Sequence, residues 1–192
     1  MNRLDLVVGP NGAGKSTFVE FTLAPLLPGS AFVNADEIAK HRWPADPSAH
    51  AYEAARVAAA TRAELIKLRR SFIAETVFSH PSKLELVDAA HAAAYTVVLY
   101  VLLVPEELAL QRVKHRVDAG GHDVPEDKIR QCFQRLWALV VTAITRCDSA
   151  TVFDSSALKG PRFVAQMSGG RLIGAARWPA WAPQELSSRW PA

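Results

Sequence analysis

The run Gly9-Pro10-Asn11-Gly12-Ala13-Gly14-Lys15-Ser16-Thr17 has the residue types and spacing of a loop that wraps the phosphates of a nucleoside triphosphate. Its glycines let backbone N–H groups converge on phosphate oxygens with no side chain in the way. The helix expected to follow brings its positive end to the same point. Lys15 is placed to reach the outer phosphates, and Ser16 to offer its hydroxyl to Mg²⁺. The apolar run Leu4-Asp5-Leu6-Val7-Val8 before the loop and the helix-compatible Phe18-Val19-Glu20-Phe21 after it supply the strand and helix that such a loop requires. ATP and Mg²⁺ are the expected cofactors.

A phosphate loop serves transporters, switches and kinases alike, so other residues must separate them. Met167-Ser168-Gly169-Gly170-Arg171 superficially matches a transporter signature, yet no apolar strand ending in Asp-Glu follows it, and Ser168–Gly170 reads as a turn between short strands. The Asn-Lys-x-Asp run that reads guanine in GTP switches does not occur. A kinase must orient and deprotonate a hydroxyl and neutralise charge on the phosphoryl group in flight, and candidates for both tasks exist. Asn34-Ala35-Asp36 ends the second expected strand, so Asp36 either works at the carboxyl edge of the sheet or caps the turn that follows. Glu75-Thr76 ends the third strand. There a carboxylate either meets substrate hydroxyls and water on Mg²⁺, or is a buried acid paired to a neighbouring base. Arg112 and Arg116 lie one helical turn apart, just before the glycine-containing segment from Asp118 to Asp123, and such a helix and loop could close over ATP as a lid. Arg130 and Arg135 on the next helix could complete a ring of guanidinium groups, and His122 in the loop could touch phosphate or substrate. Any one of these arginines also fits a solvated basic face, and a lone loop histidine fits simple exposure.

These residues need a scaffold, and the spacing of apolar runs predicts one. Short apolar runs at residues 4–8, 31–34, 72–75, 96–104 and 150–153 alternate with helix-like segments, which is the pattern of a parallel sheet covered on both faces. Helices are expected over 47–70 with Asp46 as N-cap, from Ser79-His80-Pro81 to about residue 93, from Pro105 to a stop at Gly120-Gly121, and from Pro125 towards Cys147. The fold class is therefore α/β: a three-layer α/β/α sandwich of the P-loop NTPase kind, with a parallel five-stranded core sheet and a helical lid at about 111–130. Residues 1–175 form the expected domain. A tail, 176–192, is rich in Trp and Pro, and either packs its aromatics on the domain or presents them to a partner.

A chain of 192 residues, 49% of them apolar, is long enough for one full α/β core and too short for two comfortable domains. The net charge of +3 comes from arginines spread along the chain, which suits anionic small molecules and does not argue for a nucleic-acid partner. Cys132 and Cys147 match no metal or redox spacing and read as reduced thiols. The first apolar run ends at Gly9 and the later run from Thr96 to Val104 is too short to span a bilayer, so no membrane role and a cytoplasmic location are expected.

With these residues in place, the chain resembles the zeta toxin and UDP-N-acetylglucosamine kinase family, in particular its compact bacterial members. The carriers are the phosphate loop, Asn34-Ala35-Asp36, Glu75-Thr76 at a strand end, and the lid stretch from Arg112 to Ile129, over most of residues 3 to 155. The resemblance implies that Asp36 is the base acting on a sugar hydroxyl. It also implies that Lys15 and the lid arginines stabilise the transferred phosphoryl group, and that Glu75 and Thr76 help hold the sugar nucleotide. The implied acceptor is UDP-N-acetylglucosamine or a similar nucleotide sugar; a protein antitoxin is a candidate partner, although the compact relatives look antitoxin-less. His122 stands about where larger toxins of this family carry a second lid arginine, which passes that role to Arg116, Arg130 or Arg135. Rival readings are a kinase for a nucleoside, a sugar or a nucleic-acid end, and an ATP-binding regulatory module acting through the tail.

Overall fold

Along β1 (Arg3–Val8), Leu4, Leu6 and Val8 are buried on one side and Val7 on the other, so this strand needs apolar cover on both faces. The computed structural model of the chain, which describes residues 2–118 and 125–192, provides that cover in three layers. One face packs on α3 (Ala51–Lys67), α4 (Ser82–Ala92) and α6 (Glu126–Arg146), with Ala58, Val87, Leu136, Val140 and Ile144 meeting the sheet. The other packs on α1 (Lys15–Phe18), the π-helical turn that continues it (Val19–Leu23) and α5 (Glu106–Asp118), through Phe18, Val19, Leu23 and Ala109.

The sheet runs β2-β3-β1-β4-β5-β6-β7. Its first five strands, β2 (Ala31–Val33), β3 (Phe72–Thr76), β1, β4 (Thr96–Leu103) and β5 (Ser149–Asp154), are mutually parallel, as the sequence predicts. The sheet has seven strands rather than five because β6 (Arg162–Ser168) and β7 (Arg171–Ile173) add an antiparallel hairpin beyond β5. Gly169 and Gly170, at φ 52° and 74°, form its two-residue turn, a conformation that matches the twist of the flanking strands.

Several boundaries shift for local reasons. Asp46 Oδ1 accepts from Ala49 N–H at 3.0 Å, capping a separate turn, and α3 begins at Ala51 rather than in the expected span from 47. Residues 35–42 form a full helix, α2 (Ala35–Arg42), where the sequence indicates only a turn; Asn34 caps it. After β3, buried Phe78 takes φ 67°, a left-handed conformation that turns the chain sharply towards α4. Gly120, Gly121 and His122 of the expected lid loop lie outside the described residues. Among the described residues, no helix is long and apolar enough to cross a membrane.

Residues 176–192 lie against the domain. Leu186 of α7 (Gln184–Arg189) and Trp190 are buried in the same core as α6 and β6. Trp190 Nε1–H donates to Gly170 O at 2.9 Å, and Trp178 Nε1–H donates to Trp190 O at 2.7 Å. Trp190→Ala removes a buried indole and its bond to the hairpin turn. It should lower unfolding free energy by about 3–5 kcal/mol, read as a shifted denaturant midpoint.

Candidate functional site

The phosphate loop connects β1 to α1 at the carboxyl edge of the parallel strands. Gly12 has φ 75°, and a Cβ there would sit 2.5 Å from Ala109 O, so only glycine lets the loop lie this close to the α5 backbone. Three loop carbonyls are occupied from behind. Lys15 Nζ donates to Pro10 O at 3.0 Å, Ser155 Oγ to Ala13 O at 2.8 Å, and Arg112 Nη1 to Gly12 O at 3.3 Å. Oxygens committed in this way leave the N–H groups as the loop's available polar ends.

Glu75 is the hub. Its Oε2 accepts from Ser16 Oγ at 2.8 Å and from Asn34 Nδ2 at 2.6 Å, and its Oε1 lies 4.0 Å from Lys15 Nζ. Burial lowers the Lys15 ammonium pKa; the charges of Glu75 and Asp36 push it back up, while Arg116 adds to the lowering. The other end of Asn34 decides how Asp36 is used. Asn34 Oδ1 accepts from Asp36 N–H at 2.7 Å and Glu37 N–H at 3.4 Å, so the helix cap is Asn34, and the exposed Asp36 carboxylate is not needed for it.

Two pockets meet here. One, of about 330 Å³, lies over the loop and is lined by Gly14, Lys15, Ser16, Thr17, Lys40 and Arg116 among others. The second, of about 170 Å³, runs under α3 and α4 past Thr76, Ala58, Arg62 and Lys83. Asn11, Lys15, Asp36 and Glu75 line both. A third, more apolar hollow of about 420 Å³ flanks the loop on its far side, between Thr17, Phe21, Leu158 and Pro161.

The sequence-derived residues divide accordingly. Gly9 closes β1, Pro10, Gly12, Ala13 and Gly14 shape the loop, and Asn11, Lys15, Ser16, Thr17, Asp36, Glu75, Thr76 and Arg116 surround the two pockets. Arg112 spends its donors on backbone: Gly12 O, Ser155 O at 2.9 Å and Ser156 O at 3.1 Å. Arg130 is not brought to the pockets. It pairs with Glu106, Glu107 and Glu126, which ties α5 to α6, and Glu107 and Glu126 raise its pKa further. Exposed Arg135 donates to Gln131 O on its own helix, and His122 lies outside the described residues. Sequence reasoning missed Arg62 and Lys83. A signal existed for Arg62: it stands four and eight residues after Ala58 and Ala54, on the buried stripe of α3, where a charge needs a reason.

A glycine-built phosphate loop at the carboxyl edge of a parallel sheet, beside a second pocket with a shared carboxylate, defines a nucleotide-binding α/β protein with the fold of P-loop kinases. Comparison with known proteins specifies the family. The family model for zeta toxin matches residues 2–157, and the chain belongs to the zeta toxin family. An uncharacterized protein of Haemophilus influenzae is 29% identical over 130 residues, covering 67% of this chain and 91% of that one. Among solved structures, the AvrRxo1-ORF1:AvrRxo1-ORF2 complex with sulphate ions matches with a TM-score of 0.72 at 17% identity, over 90% of this chain and 60% of that chain. The same complex with ATP gives 0.69. The PezAT chromosomal toxin-antitoxin system of Streptococcus pneumoniae matches at 0.65 and 11% identity, over 98% of this chain and 84% of that one. At these identities the likeness is one of fold, and the chain spans only 60% of the length of the AvrRxo1 chain it matches.

Arg112→Met strips three backbone carbonyls of their donor and should cost about 1–3 kcal/mol of stability, with weaker ATP binding. Thermal unfolding and nucleotide titration check it; an unchanged midpoint would show that the clamp does not hold the loop.

Proposed function

We propose that this protein is an ATP-dependent phosphotransferase that moves the γ-phosphoryl group to a hydroxyl of a nucleotide sugar of the UDP-N-acetylglucosamine type. The observation that carries the reading is the junction of the loop pocket with the second pocket at Asp36, Lys15 and Glu75. Donor phosphates on one side and an acceptor hydroxyl on the other would meet there with a carboxylate between them.

In this reading the loop N–H groups and Lys15 hold the β- and γ-phosphates, and Arg116 reaches the same pocket from α5. The hollow beside Phe21, Leu158 and Pro161 takes the nucleobase. Ser16 Oγ and the Glu75 carboxylate form a hard-oxygen pair that fits Mg²⁺, an ion held mainly by phosphates, water and one or two protein oxygens. Bound there, it would neutralise charge on the phosphates. Asp36 accepts the hydroxyl proton as that oxygen bonds to the γ-phosphorus, and the bond from phosphorus to the bridging oxygen breaks to leave ADP. Thr76 lines the acceptor side of the same junction. Arg112 acts by fixing the loop, and the part of the expected lid that supports this reading is α5, whose Arg116 lines the loop pocket.

A protein antitoxin is the proposed partner, supported by family membership and by the two-component systems that share the fold. The buried Trp190 and Leu186 are committed to the domain core, which favours catalysis over a regulatory tail.

Incubation with ATP, Mg²⁺ and UDP-N-acetylglucosamine should yield a phosphorylated sugar nucleotide, detected by mass. Asp36→Asn should cut turnover by about 10²–10⁴-fold while ATP still binds. Full turnover in this variant would remove the proposed base. For Lys15→Ala the expected loss in kcat is on the order of 10³-fold, and a near-native rate would sink the donor-site assignment.

A further inference from the structure

The second pocket holds a charge arrangement that the fold does not use. Arg62 of α3 is only 6% exposed, lines the cavity, and makes no hydrogen bond or ion pair among the described residues. Its guanidinium nitrogens are not sealed from the cavity, since Trp137 Nε1 alone among the described residues is a fully buried side-chain donor without a partner, yet burial of the residue disfavours the charge and the fold supplies no carboxylate to offset it. Lys83 faces the same cavity from the first turn of α4 and is also without an ion pair among the described residues. That turn is the positive end of an 11-residue helix, where a cation is disfavoured. Burial lowers the Lys83 pKa, and the neighbouring Arg62 charge lowers it further. The carboxylates nearby do not relieve the pair. Glu75 is held by Ser16, Asn34 and Lys15, and Asp36 stands at the mouth towards the phosphate loop.

We propose that Arg62 and Lys83 are specificity-determining residues that seat a phosphate or carboxylate of the acceptor, so that the substrate must be an anion carrying its reactive hydroxyl within reach of Asp36. The inference rests on the reading of this cavity as the acceptor side. It narrows that reading: a nucleotide sugar qualifies through its diphosphate and a sugar phosphate through its phosphate, whereas neutral nucleosides and free sugars are rejected. Rejection follows because a neutral ligand leaves the buried Arg62 and the half-buried Lys83 without a partner. An anion between them supplies the charge-assisted bonds that the cavity lacks.

The test separates acceptor binding from turnover. With the donor site filled by ADP and Mg²⁺, calorimetry compares N-acetylglucosamine 1-phosphate, glycerate and neutral N-acetylglucosamine. One of the two anions should bind at least about tenfold more tightly than the neutral sugar, a phosphate or a carboxylate preference identifying the source of the charge. Arg62→Gln and Lys83→Gln should each weaken that anion about tenfold or more. Arg62→Met should raise the thermal midpoint, because it removes an unpaired buried charge. A structural arginine would do the reverse. Equal affinity for charged and neutral probes, or an Arg62→Gln variant that binds anions normally and unfolds earlier, overturns the inference. Anion binding that persists where UDP-N-acetylglucosamine is not phosphorylated leaves this inference standing and removes only the choice of nucleotide sugar. Phosphorylation of that compound with unchanged KM in Arg62→Gln does the opposite.

Discussion

Holding a buried ammonium in place is the constraint on which the rest of this site depends. Lys15 is 7% exposed, and burial works against its charge, so the structure keeps negative ends close to it without neutralising it outright. Pro10 O takes one hydrogen bond, and Glu75 stands at 4.0 Å, near enough for attraction and far enough to yield to a phosphate. The sheet makes this spacing possible. β3 lies beside β1 with Glu75 in register with Val7, so the carboxylate emerges next to the point where the loop leaves its strand. Ser16 and Asn34 then fix its other oxygen. Segments far apart in the chain share one side chain, and none can shift without disturbing the others.

Charge is distributed unevenly across the two pockets. On the donor side it is largely compensated: carbonyls meet Lys15, Arg112 and Ser155, and the acid meets hydroxyl and amide. On the side of α3 and α4, Arg62 and Lys83 have no ion pair among the described residues. The pattern has an energetic sense, because groups compensated within the protein are preorganised, whereas groups left uncompensated await a ligand. The apolar layers behind them, Ala54 and Ala58 on α3 and Val87 and Ala90 on α4, hold the backbones that carry these cations.

The loop, the five parallel strands and the acid at the end of each of two strands were legible because each leaves a local mark: glycine spacing, apolar runs, a carboxylate after a β-run. Of the hairpin of β6 and β7, only the turn at Ser168–Gly170 between short strands was legible; that Arg162–Ser168 joins the core sheet was not, since it buries Val164, Ala165 and Met167 without a regular alternation. Arg130 shows how proximity in sequence misleads. Glu126, one turn away, and Glu106 and Glu107 on the preceding helix take its charge, a pairing that depends on how α5 and α6 meet. The loop clamp was invisible for a similar reason: Ser155 and Arg112 reach Gly12 and Ala13 only once β5 and α5 flank the loop. Arg62 was hidden among alanines, because burial without a partner is a fact of tertiary placement.

Asn34 gives one position an unusually narrow chemistry. Its amide oxygen takes two N–H groups at the start of α2, and its amide nitrogen gives a hydrogen to Glu75. Aspartate would preserve the cap while setting two carboxylates against each other; leucine would preserve neither contact; serine would keep the cap and release the acid. Deamidation to aspartate, which exchanges an NH₂ for an oxygen, would thus replace the hydrogen bond to Glu75 with repulsion between two carboxylates. Fixed at both ends and only 5% exposed, the side chain is held from the rotation that cyclisation onto the next backbone nitrogen requires.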